Sequence, residues 1–164
     1  MLEKNKELWE RCVAFHGHAC GGLAVGYQAS LYAMELLGVS GRAQDEELVC
    51  VTENDACGVD AVQAVLGCTV GKGNLIFHMT GKQAFNFFDR QSGKGVRLLL
   101  RATPGLSRQE RESWLMHGDF HEMFDVGPAR AALPETARIF KTCTCAKCGE
   151  RMAESHAHLQ NGEI

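Results

Sequence analysis

Apolar residues recur at helical spacing in the first quarter of the chain. Residues 3–14 read as a charged first helix. Leu23, Tyr27, Leu31 and Met34 then lay an apolar stripe along a longer helix from Cys20 to Leu37, and Gly38 supplies its stop. A second stripe, Gly22, Gly26, Ser30 and Ala33, consists of small side chains. Glycine inside a helix costs about 1 kcal/mol relative to alanine, so this stripe predicts a face that another element approaches closely.

The period then shortens. "LVCVTEND" (Leu48–Asp55) is a β-rich run that closes on turn-forming residues and reads as a buried strand. Val59–Leu66 follows as a short helix after Cys57-Gly58. Three strand-like pieces come next: Leu75–Thr80, Ala84–Asp89 and Val96–Arg101. In the last, Val96, Leu98 and Leu100 alternate with Arg97, Leu99 and Arg101, as in a strand with one face in solvent. The short connectors Gly81-Lys82 and Ser92–Gly95 predict an antiparallel meander. Ser107 and Glu110 match a capping box opening a helix to His117. Val126–Ala137, which holds Pro128 and Pro134, reads as a linker. Helices and strands are largely segregated, which predicts an α+β fold: N-terminal helices packed on a mainly antiparallel sheet over residues 1–135, then a short Cys/His-rich tail at 136–164.

Bulk composition removes some function classes. A chain of 164 residues builds one ordinary domain with a small appendage. A formal net charge of −3 gives no case for nucleic acid or an anionic membrane. No apolar run approaches the roughly 18 residues of a membrane span, and "MLEKNKELWE" is not a leader, so a cytoplasmic protein is expected. In a reducing compartment, eight cysteines point to metal ligation or catalysis rather than disulfides. Cys12 and Cys50 lie among apolar residues and read as small buried hydrophobes.

Two clusters carry chemistry. In the tail, "CTCAKCGE" places Cys145 and Cys148 as C-x-x-C before a glycine, the turn that converges two thiolates on one ion. Cys143, His156 and His158 are the further donors for a tetrahedral set; a free thiol-rich tail is the plain alternative. In the core, "FHGHACGG" presents His16, His18 and Cys20 at alternating positions. In an extended approach these would face one way, with Cys20 in the first turn of a helix, where amides stabilise a thiolate. Cys57, after the strand end, is the expected opposite wall of a zinc-like site; packing is the alternative for any one of these residues. "GCTVGKGN" (Gly67–Asn74) lacks the phosphate-loop spacing, having three residues between its first glycines and Gly73 after Lys72. It is either a turn or a small anion cradle.

"FHGHACGGLAVGYQASLYAMELLG", "CGVDAVQAVLGCTVGKGNL", "GKQAFNFFDRQSGKGVRLLL" and "CAKCGE", in that order, closely resemble the FmdE family of formylmethanofuran dehydrogenase subunits over roughly residues 8–150. The resemblance implies an α+β core that dimerises, a zinc-ribbon-like C-terminal segment, and association with a molybdenum or tungsten enzyme that reduces carbon dioxide onto methanofuran. His16, His18 and Cys20 match the family's first signature; Cys57, Asp60, Cys68, Lys72 and Asn74 match its second; Cys145 and Cys148 match the first half of the ribbon. A second C-x-x-C, usual in the family, does not follow before Ile164.

Two readings follow. One is a zinc-binding homodimeric accessory protein of a molybdenum- or tungsten-dependent system. The other is a stand-alone enzyme, with a core metal as Lewis acid or Cys20 or Cys57 as reactive thiol, and Lys72 holding a small anionic substrate. A nucleic-acid-associated ribbon is disfavoured by the acidic balance.

Overall fold

The structure, a computed structural model, describes residues 5–164. Helix α1 spans Lys6–His16 and α2 spans Gly21–Leu37; residues 3 and 4 of the predicted first helix lie outside the described residues. Gly17 (φ 97°) and Gly38 (φ 73°) close these helices in the left-handed conformation that only glycine adopts without strain. From Leu23 to Ser30 every residue of α2 is buried, so this helix is the axis of the core rather than a surface amphipath.

The small stripe on α2 meets α3 (Gly58–Leu66). A Cβ on Gly26 would lie 2.5 Å from the Gly58 Cα and overlap its carbonyl. One on Gly58 would lie 3.0 Å from the Gly26 nitrogen and 3.2 Å from the Gly22 oxygen. Backbone therefore packs on backbone, the close approach that the bare positions predict.

β1 (Leu48–Thr52) lies inside a five-stranded sheet with β2 (Leu75–Phe77), β3 (Ala84–Asp89), β4 (Gly95–Leu100) and β5 (Phe124–Pro128), in the order β2-β1-β3-β4-β5. The predicted meander holds only for β3 and β4. β2 pairs parallel with β1, Cys50 opposite Leu75, because α3 returns the chain to the same end of the sheet. β3 takes the other side of β1, antiparallel, so β2 and β3 are consecutive in sequence without being neighbours. β2 is also shorter than the predicted Leu75–Thr80 run.

Arg97 departs from the half-exposed pattern expected of β4. It is 4% exposed, on a row of the outer face where Val51, Asn86 and Arg97 stand side by side. Its guanidinium holds the Glu53 carboxylate at both oxygens, Nε to Oε1 at 2.6 Å and Nη2 to Oε2 at 2.9 Å. Thr80 Oγ1 and Asn86 Nδ2 donate to the same carboxylate at 2.9 and 3.2 Å. These bonds, the Arg97 guanidinium first, hold the Glu53 carboxyl down at about 2 against burial.

The start of the predicted linker is strand β5, on the sheet edge beside β4. Beyond it the chain straps the outer face. Ala129 and Ala131 cover Val49, Val51 and Phe88, and the Arg130 amide donates to Asn86 Oδ1 at 2.8 Å. Arg90 grips the carbonyls of Pro134 and Glu135. The opposite face, with Phe85, Phe87 and Leu98, packs into the helical core. α4 (Arg108–His117) opens on the expected capping box of Ser107 and Glu110, and the short α5 (Phe120–Met123) leads into β5. In the tail, β6 (Thr142–Thr144) and β7 (Arg151–Ala153) make a two-stranded hairpin. No helix among the described residues is long and apolar enough to cross a membrane.

A candidate metal centre at a junction of three helix ends

His16 is the last residue of α1, Cys20 caps the start of α2, and Cys57 immediately precedes α3. Their donor atoms lie within 4.8 Å of one another, and all three residues are partly buried. Among the described residues no other group of three His, Cys, Asp or Glu gathers as closely.

Local structure accounts for each placement. Gly17 reverses the chain directly after His16, and its amide caps Val13. Cys20 is extended (φ −151°, ψ 161°), and its sulfur accepts the Leu23 amide at 3.3 Å, doing what a serine or aspartate oxygen does at other helix starts. Cys57 is held by the turn after β1: Asn54 donates to the Lys82 carbonyl at 3.1 Å and accepts from the Ala56 amide at 3.1 Å. Gly22 leaves the room that Cys57 needs, since a Cβ there would lie 3.2 Å from Cys57 Cβ and 3.4 Å from its sulfur.

The orientation of the imidazole is fixed by Asp60, in the first turn of α3. His16 Nδ1 lies 2.7 Å from Asp60 Oδ2, and Gln63 donates to Oδ1 of the same carboxylate at 3.2 Å. A proton on Nδ1 shared with the carboxylate leaves the Nε2 lone pair free, 3.9 Å from Cys20 Sγ. Carboxylate–histidine pairs of this kind orient metal-binding imidazoles and raise their basicity. Burial pushes the Cys57 thiol up, and the neighbouring Cys20 sulfur adds to the shift. A cation beside the Cys57 sulfur would offset that cost. The donor set suits zinc. Bonds of about 2.1 Å to nitrogen and 2.3 Å to sulfur put tetrahedral ligands about 3.6–3.8 Å apart, close to the separation of Nε2 and Sγ. Three protein donors leave a fourth position for water or another ligand.

Other candidate residues stand elsewhere. His18 is exposed and outside the converging group; its ring lies against that of His16, centroids 4.7 Å apart. The alternating extended approach is not formed, because His16 belongs to α1. Lys72 lies in the loop beyond the far end of α3, a helix of nine residues and so about 13 Å long. Its ammonium donates to the carbonyls of Asp45 at 2.7 Å and Ala43 at 3.3 Å. Asn74 is fully buried and ties the same loop, donating to Leu48 O at 2.8 Å and accepting from the Thr69 amide. Cys68 is buried, its thiol pushed up to about 12 by desolvation. The glycine-rich segment is thus a stapled turn.

In the tail, no three of Cys143, Cys145, Cys148, His156 and His158 gather as the core donors do. Cys143 donates to the Met152 carbonyl across the hairpin. Cys145 and Cys148 share a tight turn closed by Gly149 (φ 75°), where the amides of Cys148 and Lys147 lower the Cys145 thiol. Asp60 is the functional side chain whose role the sequence pattern left unassigned. Its only local sign is an acidic residue in the first turn of a helix, which usually serves the helix dipole.

Comparison with known proteins adds a lineage to this geometry. A family profile described as "FmdE, Molybdenum formylmethanofuran dehydrogenase operon" matches residues 15–149. A protein of Archaeoglobus fulgidus named a probable S-adenosyl-L-methionine-binding protein is 31% identical over 172 aligned positions. The match takes in 85% of this chain and 47% of that protein, so the chain spans about half the length of this curated relative. The crystal structure of a tungsten formylmethanofuran dehydrogenase FmdE-like protein from Syntrophus aciditrophicus superposes with a TM-score of 0.68, covering 93% of this chain and 87% of that one. At 24% identity this is a likeness of fold.

Proposed function

The chain belongs to the FmdE family, and from that premise we propose that it binds a divalent transition metal, zinc foremost, at His16, Cys20 and Cys57, and acts as an accessory protein of a molybdenum- or tungsten-dependent system of the formylmethanofuran dehydrogenase type. The observation that carries the metal reading is the convergence of the three donors, with the second nitrogen of His16 already held by Asp60. The association with the dehydrogenase system rests on family membership. The C-x-x-C turn of the tail is a second, weaker metal position, to be completed by Cys143, His156 or His158 after local rearrangement.

A second reading is favoured by one feature of the same site. Three protein donors and a free fourth position are what catalytic zinc centres use, whereas structural ones are closed by four. The core would then polarise a bound oxygen on a small substrate, with Cys20 and Cys57 as ligands rather than nucleophiles.

Elemental analysis of the purified protein tests the proposal. At least one zinc-class ion per chain is expected, with Cys57→Ser and His16→Ala each removing the core equivalent while far-ultraviolet circular dichroism stays unchanged. A folded protein that takes up no metal after zinc dialysis overturns it.

A further inference from the structure

On the face of the sheet away from the helices, a cavity of about 150 Å³ opens where the 78–82 loop, strand β3 and the 129–131 strap meet. Its buried members are Glu53 and Asn86, 5% and 1% exposed; its exposed members include His78, Thr80, Lys82 and Arg130. We propose that this cavity is a binding site for a small oxyanion.

Glu53 is the cavity's only acidic member, and both its oxygens are taken by Arg97, Thr80 and Asn86. Carboxylate and guanidinium cancel, so the floor is neutral. The Lys82 ammonium and the Arg130 guanidinium have no hydrogen-bond or ion-pair partner among the described residues, and neither does the His78 ring. The net character of the cavity is therefore cationic, with donors in excess of acceptors. An anion answers both imbalances.

The frame around it is rigid. The His78 amide donates to Thr52 O, and the amides of Thr80 and Gly81 both donate to Glu53 O. The Arg130 amide is held by Asn86 Oδ1, on the side chain whose Nδ2 donates to Glu53. The buried ion pair thus fixes the two segments that carry the cationic side chains, which lowers the ordering cost of binding. Size then narrows the ligand. A cavity of about 150 Å³ is small. That suits phosphate, sulfate or a short carboxylate, or the terminal group of a larger molecule whose remainder stays in solvent.

Isothermal titration calorimetry with inorganic phosphate, and with formate in a parallel series, tests the site on the full chain at low ionic strength. Saturable binding is expected for at least one of the two, and the stronger of them separates a tetrahedral from a planar preference. Lys82→Met and Arg130→Met are each expected to weaken it about tenfold, the loss of one charge-assisted hydrogen bond. Lys94→Met, on the β3–β4 turn, should leave it unchanged. Amide chemical shifts read without any substitution should move at Thr80, Lys82 and Arg130 on adding the anion. Absence of saturable binding of either anion, or binding indifferent to both substitutions, overturns the proposal. So do shifts that cluster elsewhere.

Discussion

The core and the tail offer the same ligand chemistry in opposite frames. Cys20 and Cys57 come from helix ends that cannot separate without opening the core, because Gly22, Gly26 and Gly58 lock α2 against α3, and His16, at the end of α1, is tied to α3 through Asp60. The tail carries five candidate donors in sixteen residues, from Cys143 to His158, the three cysteines on a hairpin with only three residues in each strand and the two histidines beyond it. The tail has the more recognisable spacing, and the core has the converged geometry. A motif thus reports how close two donors can come, whereas packing decides where the third and fourth stand.

The largest test of that contrast strikes the frame. Arg97→Met leaves Glu53 buried without its partner and should cost about 3–5 kcal/mol in urea unfolding. Glu53 leads into the turn that places Cys57, so the core should lose zinc affinity while the tail thiols react as before. The intact pair also sets an acid limit. The folded Glu53 carboxyl sits near 2, below its ordinary 4.5. It therefore adds stability above about pH 4.5 and loses it as pH falls towards 2. Unfolding midpoints between pH 5 and 2 should drop steeply in the native chain and less in the variant.

A smaller effect isolates orientation from ligation. Asp60→Asn keeps the shape but removes the charge behind His16, and should weaken core zinc binding about 10- to 100-fold by competition titration. An unchanged affinity would mean that the carboxylate serves α3 alone. The smallest effect concerns reactivity. In metal-free protein near pH 7.5, iodoacetamide should label Cys145 a few times faster than Cys57. The first thiol is lowered by backbone amides and the second is raised by burial. Equal rates would erase this difference between the two regions.

Helices and their caps were legible from residues close in sequence. The small stripe of α2, its stop at Gly38 and the capping box of Ser107 each depend on neighbours within a few positions. The joining of Cys20 to Cys57 could also be anticipated, since bare glycines beside one cysteine invite another element. What stayed hidden depends on distant pairing. Nothing near Leu75 says that β2 joins β1 rather than β3, and nothing near Arg97 says that a buried carboxylate from β1's end awaits it. His18 stands apart for a related reason: the helix runs on to His16, so the two imidazoles do not share an extended segment. The part of Asp60 became visible only once α1 was docked on α3.

The strap over the sheet has a consequence for whatever the tail encounters. Arg90 fastens the carbonyls of Pro134 and Glu135, and the Ala137 amide is tied to Glu46 at 2.9 Å. From Ala137 to Thr142 the chain advances five residues, at most about 17 Å when taut. The hairpin is therefore on a short leash anchored at one corner of the sheet. A partner that grips the C-x-x-C turn is delivered to that corner at high effective concentration. Lengthening the leash would dilute that encounter without touching either cluster of thiols.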